Sequence, residues 1–367
     1  MEFKLHPVIC SKNNLRDFFN ETANEKDLII TNKFIFMPQM DSQELKGHIL
    51  FQEQFGTGEP NDEMIRAMFQ EMKGKKYERI IAIGGGTVID ISKLFVFGTE
   101  YTLKEIFEKG ATLPKKKKLV IIPTTCGTGS EVTNISIAEF REKKTKIGLA
   151  ADQLYADEAI LIGSLLETIP FQVFATSSVD AFIHAIESYV SPKASLFTKA
   201  LGEKAMRIIL KGYQDIVSKD KLELPDNLQV FLEASTLAGI SFGNAGCASV
   251  HALSYPIGAN YHVPHGKSNY LVFHAVFEKY REMNADLIEL EKLLSEILIC
   301  SPEAVWENLR KLIDQIIPRE PLHSLGITRG EAKKMAESVF KNQQRLLVNN
   351  PVPFTESDIY DVYQKCL

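Results

Sequence analysis

RIIAIGGGTVIDISKLFVFG, Arg79 to Gly98, decides how the first half of the chain folds. Arg79 through Ile83 reads as a buried strand, which runs directly into Gly84-Gly85-Gly86-Thr87, and VIDISKLFVFG continues as a helix. Glycines at the carboxyl end of a strand let the backbone approach a phosphate closely. The helix N-terminus behind them supplies unpaired N–H groups and a partial positive charge. GGGT is not GxGxxG, and it lacks the Lys-Ser/Thr ending of a P-loop, so a tight turn with no ligand competes with the binding reading. PTTCGTGSE, Pro123 to Glu131, follows a second strand at 119–122 and adds threonine and serine hydroxyls. Two such loops at one edge of a sheet mark the ligand site of a doubly wound fold.

Working outward, KDLIITNKFIF, Lys26 to Phe36, reads as a buried strand, a turn and a second extended piece. DSQELKG from Asp41 has an N-cap residue and helix formers, and Ile49 to Phe51 looks like a short strand. Asn61 or Asp62 caps a helix whose apolar residues Met64, Ile65, Met68, Phe69 and Met72 recur at helical spacing. Lys115 to Lys118 is a solvated approach to the next strand rather than a binding patch. Strands alternate with helices through about residue 165, the pattern of a parallel α/β sheet with crossover helices. After Pro170 long helical patterns take over and continue to Val348. The spacing therefore predicts a ligand-binding α/β domain over 1–168 and an all-helical domain over 169–367. A ligand cleft between them is expected, lined by the glycine loops and by histidines.

The net charge of −5 gives no reason to expect nucleic acid, and no basic stripe with interleaved aromatics is present. No stretch approaches the ~20 consecutive apolar residues of a membrane span. MEFKLHPVICSKN lacks the apolar centre of a signal peptide. The five cysteines are scattered without a CxxC, which points to a reduced, cytoplasmic setting. A homo-oligomer is expected.

VDAFIHAIESY, Val179 to Tyr189, carries Asp180 and His184 on one helix face. HALSYPIGANYHVPHG, His251 to Gly266, holds His251, His262 and His265, and Pro256, Gly258 and Pro264 are expected to break any helix there. One carboxylate with two or three imidazoles makes a divalent-metal site, and an O/N₃ set suits Zn²⁺ or Fe²⁺. His262 is then the spare, an outer partner or a substrate contact. A hydrogen-bonded Asp180–His184 pair is the bland alternative.

GGGTVIDISK, PTTCGTGSEVT, SSVDAFIHAIESY and HALSYPIGANYHVPHG resemble the successive motifs of the iron-containing (group III) alcohol dehydrogenase family, in the family's order and spacing. The resemblance covers essentially the whole chain. It implies a Rossmann-like, dinucleotide-binding N-terminal domain over 1–168 and an all-helical C-terminal domain over 169–367, the architecture shared with dehydroquinate synthase. It puts Asp180, His184, His251 and His265 on the metal-ligand positions. Gly85, Gly86, Thr87, Thr124, Thr125 and Thr128 fall on cofactor contacts, with Asp90 in the helix after the first loop. Tyr255 stands where many members carry a proton-relaying histidine, and a phenol can relay a proton although its reference pKa of ~10 is higher. Asn32 stands where an Asp often selects NAD, which leaves NADP open alongside NAD. The Tyr-Pro form of the third motif is similar to the 4-hydroxybutyrate dehydrogenase branch, which implies an alcohol or aldehyde substrate with a far carboxylate. Tyr255, His262 and Lys267 are the expected partners of that carboxylate. A general primary-alcohol or diol dehydrogenase, a dehydroquinate-synthase-like lyase and a non-catalytic NAD-binding protein are the competing readings.

Overall fold

The computed structural model describes residues 2–40, 45–143, 145–219 and 221–367. The chain divides into two compact units, Leu5–Thr168 and Ile169–Leu367 with Met1–Lys4. Lys4 N donates to Asn244 Oδ1 at 2.6 Å, and Phe3 packs on Phe197 with ring centroids 5.3 Å apart. The start of the chain therefore goes with the helical unit and not with the α/β unit.

The α/β unit has strands β1 (Val8–Ser11), β2 (Asp27–Thr31), β3 (His48–Phe51), β4 (Arg79–Gly84), β5 (Lys118–Pro123), β6 (Ile135–Phe140), β7 (Thr145–Ala150) and β8 (Glu158–Leu161). Its helices are α1 (Leu15–Thr22), α2 (Lys33–Phe36), α3 (Asp62–Met72), α4 (Gly86–Leu94) and α5 (Leu103–Lys109). Six strands form one sheet in the order β1-β8-β5-β4-β2-β3, every pairing parallel. β2 is buried throughout, and β4 and β5 at every residue but the first, as expected of parallel strands covered on both faces. The five apolar positions of α3 are all buried, and Asn61 is the cap, its side chain accepting from Met64 N at 3.0 Å.

Two sequence expectations for this unit need correction or restriction, and some strands carried no sequence expectation. Lys33–Phe36 is a helical turn, not an extended piece, and it drives Phe36 into the core edge-on to Phe19. β1, β8 and the antiparallel β6–β7 hairpin carry too few residues or too mixed a pattern to be read from sequence. For the helix expected from Asp41, residues 41–44 lie outside the described residues, and Leu45–Gly47 are not helical.

The helical unit contains α6 (Phe171–Val190), α7 (Leu196–Val217), α8 (Leu228–Ala245), α9 (Ser249–Tyr261), α10 (His265–Glu282), α11 (Ile288–Leu298), α12 (Val305–Ile316), α13 (Arg329–Asn342), α14 (Gln344–Leu347) and α15 (Glu356–Cys366). α6 packs against α7, α8 and α10, and every residue from Ser178 to Tyr189 is buried. A helix buried on all sides must find partners for its polar side chains. Ser178 Oγ meets Tyr213 Oη at 2.8 Å and Ser188 Oγ meets Ser241 Oγ at 2.7 Å.

Pro256 and Gly258 do not end a helix as the sequence suggests: α9 runs through both and stops at His262, whose φ of 54° is left-handed. An internal proline costs about 3 kcal/mol. Leu253 and Ile257 flank it with no exposed surface. Burying two such side chains contributes about 1.5–3 kcal/mol each. Tyr363 Oη also donates to Leu253 O at 2.6 Å, next to the carbonyl that the proline leaves without a donor. Tertiary packing outweighs the local penalty, and the break falls at Pro264, which caps α10.

Candidate functional site

In the α/β unit the two glycine loops meet. β4 and β5 pair to their last residues, Gly84 opposite Pro123, and Thr124 N donates to Gly84 O at 3.1 Å. A Cβ built on Gly86 would sit 3.1 Å from Thr128 Cγ2, and one on Gly85 would sit 3.3 Å from Thr125 Cγ2. The glycines are what allow the loops to touch. No side chain caps α4, so its first-turn N–H groups stay available to an anion. Thr87 Oγ1 donates to Gly58 O at 3.1 Å, and Thr124 is buried.

Asp90 is tied into the protein: its carboxylate accepts from Ser130 Oγ at 2.8 Å and from Ile137 N at 3.0 Å. Beside it lies Lys93, with no exposed surface, whose ammonium donates to Ser130 Oγ, Thr133 Oγ1 and Ile135 O at 2.8, 3.2 and 2.7 Å. Burial pushes Lys93 down to about 8, opposed by Asp90 and Glu131, while burial pushes the Asp90 carboxyl up, opposed by Lys93. The pair ties α4 to the second loop. At the end of β2, Asn32 donates both to Gln52 Oε1 and to Glu53 Oε2 at 3.0 Å. Glu53 thus supplies, from the turn after β3, the negative charge that Asn32 lacks, and no spacing in the sequence pointed to it.

In the helical unit, Asp180 and His184 come from α6, His251 from α9 and His265 from the first turn of α10. Asp180 Oδ1 lies 4.0 Å from His184 Nε2, 3.6 Å from His251 Nε2 and 3.7 Å from His265 Nε2. Donors at ~2.1 Å around a tetrahedral ion stand about 3.4 Å apart. The ligand atoms of Asp180, His251 and His265 lie within 4.8 Å of one another and can hold a divalent cation, while His184 falls in a second group with His251 and Cys247. Gly266 brings α10 in: a Cβ there would overlap Thr176 O on α6 and press on Asp180 Cβ.

Glu187, fully buried and one turn beyond His184, orients the set. Its carboxylate accepts from Ala248 N and Val250 N at the start of α9, at 3.1 and 2.6 Å, and meets His251 Nδ1 at 2.6 Å. Glu187 as acceptor suits a proton on Nδ1, and Nε2 is the His251 atom that faces Asp180. His184 is stacked between Phe242 and His251. Asn269, one turn after His265, places Nδ2 2.7 Å from Asp180 Oδ1, 3.2 Å from His251 Nε2 and 3.3 Å from His265 Nε2. Asn269 thus touches three of the four candidate ligands. Glu187 and Asn269 escaped the sequence reading, although positions 180, 184 and 187, and 265 and 269, share helix faces.

Burial alone would push the Asp180 carboxyl up, but His184, His265 and His251 outweigh it and hold it well below the usual carboxylate range. Cys247 also lies within ligand distance of His184 and His251, and burial pushes its thiol up. Asp180, His184 and His251 are buried, whereas the His265 side chain is 35% exposed, so the group opens to solvent on the His265 side. Tyr255 stands there, its ring centroid 6.1 Å from that of His265. His262 is exposed at the left-handed end of α9 and does not join the group. Lys267 forms an ion pair with Glu320.

Residues 7–162 match the iron-containing alcohol dehydrogenase family, and residues 174–367 match the Fe-containing alcohol dehydrogenase family, C-terminal. The chain is 44% identical over 365 residues to 4-hydroxybutyrate dehydrogenase of Clostridium kluyveri, covering 99% of this chain and 98% of that protein. It is 34% identical over 304 residues to long-chain-alcohol dehydrogenase 1 of Geobacillus thermodenitrificans, covering 79% and 75% of the two chains. Sulfoacetaldehyde reductase from Bifidobacterium kashiwanohense, solved in complex with NAD+, has the same fold, with a TM-score of 0.87, 20% identity and coverage of 100% and 98%. Among the described residues no helix is long and apolar enough to cross a membrane. Matched by its family over both units, the chain belongs to the iron-containing alcohol dehydrogenases.

Proposed function

We propose that this chain is a metal-dependent, NAD-linked dehydrogenase that interconverts 4-hydroxybutyrate and succinate semialdehyde. The observation that carries the substrate is the 44% identity, over 99% of the chain, to the Clostridium kluyveri enzyme named for that reaction. Asp180, His184, His251 and His265 would hold a divalent iron or zinc ion, which when bound would supply Lewis acidity at the substrate oxygen, and the two glycine loops would hold a nicotinamide dinucleotide, which would supply the hydride acceptor or donor.

The chain's own residues do the rest. Glu187 fixes the His251 tautomer, and Asn269 holds the Asp180 oxygen. The N–H groups at the start of α4, reached past Gly85 and Gly86, suit a pyrophosphate, and Thr124, Thr125 and Thr128 offer hydroxyls beside it. Asn32 can bond a ribose hydroxyl, and the Glu53 carboxylate behind it repels a 2′-phosphate, which favours NAD over NADP. The Tyr255 phenol passes the proton of the substrate hydroxyl outward, a role that its closeness to the His265 ring supports.

The test is a comparison of kcat/KM for succinate semialdehyde and butanal, each with NADH and with NADPH. Succinate semialdehyde is expected to lead butanal by about 100-fold, a charge-assisted pair's worth of discrimination, and NADH to lead NADPH. Equal efficiency on both aldehydes would remove the substrate assignment.

A further inference from the structure

The structure offers a partner for the far carboxylate that the sequence did not suggest. Lys267 is already neutralised by Glu320, and His262 stands apart from the metal-ligand group. Arg345, on α14, is exposed and has no carboxylate within ion-pair distance among the described residues. Its Nη2 lies 3.4 Å from Tyr255 Oη, on the side where the metal-ligand group opens. We infer that Arg345 is the substrate-specificity residue of this enzyme, binding the carboxylate of 4-hydroxybutyrate and succinate semialdehyde while their other end meets the metal ligands.

Three observations support the assignment. Extended, a four-carbon semialdehyde spans about 6 Å between its end oxygens. The Tyr255 ring that Arg345 reaches lies 6.1 Å from the His265 ring, so Arg345 stands on the open side of the metal-ligand group. The guanidinium presents a planar fork that matches a carboxylate through two parallel hydrogen bonds, which an ammonium does not. Its backbone is also held in place. Leu346 and Leu347 are buried, and Asn349 Nδ2 donates to Cys247 O at 2.8 Å and to Arg345 O at 3.3 Å, fastening α14 to the start of α9. Ser249 N and Tyr280 Oη both donate to Asn350 Oδ1, at 3.0 and 2.7 Å, and extend that fastening. A flexible side chain thus stands on a fixed base beside Tyr255.

This inference rests on the proposed substrate, and the experiment separates the two. Wild type, Arg345→Met and Arg345→Lys are assayed with succinate semialdehyde and with butanal, and 4-hydroxybutyrate binding is measured by calorimetry. Arg345→Met is expected to lose about 100-fold in kcat/KM on succinate semialdehyde, mostly through KM, and to bind 4-hydroxybutyrate correspondingly more weakly. Its loss on butanal, which has no carboxylate and reports whatever the change costs through Tyr255, should be at least about tenfold smaller, and Arg345→Lys should recover part of the succinate semialdehyde loss. If wild type does not favour succinate semialdehyde over butanal, the substrate reading fails. If wild type favours it and Arg345→Met keeps that preference, the role of Arg345 is overturned while the substrate stands.

Discussion

The two candidate sites use opposite parts of the peptide unit. In the α/β unit the groups offered to a ligand are mostly backbone N–H groups at the start of α4, and side chains such as Asp90 and Lys93 act as ties behind them. In the helical unit the offered groups are side chains, and the backbone's part is to hold rigid helices close, with Gly266 permitting the approach of α10 to α6. A backbone site is damaged by adding atoms, whereas a side-chain site is damaged by removing them. That difference can be broken or sharpened by substitution, because the two losses read out on different quantities.

Asp180→Ala should give the largest effect. It removes the carboxylate on which three imidazoles converge, and kcat/KM should fall by at least about 10⁴-fold while the NADH dissociation constant stays within about twofold. Retained turnover, or equal loss of NADH binding, would show that the sites are not separable in this way. Gly86→Val is the mirror experiment. A first added carbon already stands 3.1 Å from Thr128 Cγ2, and a branched chain must push the second loop away. NADH binding, followed by fluorescence titration, should weaken about 100-fold, with the metal content unchanged. Gly86→Val binding NADH as wild type would sink the assignment of these loops.

The smallest effect concerns the tie. Lys93 has a folded pKa near 8 against 10.5 for the free side chain, because burial disfavours its charge. Between those values the unfolded chain holds a proton that the folded chain does not, so this group's contribution to stability rises with pH across the window. Below about pH 8 the cost of the buried ammonium is fully present. The unfolding free energy of wild type minus that of Lys93→Met, from urea titrations, should therefore rise from about pH 8 to about pH 10. A flat or falling difference would mean that Lys93 keeps an ordinary pKa.

How much of this was legible in the sequence follows from the range of the signals. The apolar run before Gly84, the spacing of α3 and the four-residue step from Asp180 to His184 are local patterns, and each appears where the sequence put it. α9 was misread because proline's penalty is local, while the burial of Leu253 and Ile257 that overrides it depends on the finished fold. Glu187 and Asn269 could have been found, since both lie on the ligand face of their own helix. Glu53 and Arg345 could not: each is 20 or more residues from the group it meets, and a lone charged residue on a polar stretch carries no periodic signal.

Everything in the helical unit depends on whether Asp180 and the three histidines grip one cation. Metal analysis by mass spectrometry of freshly purified wild type and Asp180→Ala tests this most directly. About one iron or zinc ion per chain is expected in wild type, and less than about one tenth of that in the variant. A variant that carries as much metal as wild type would contradict it.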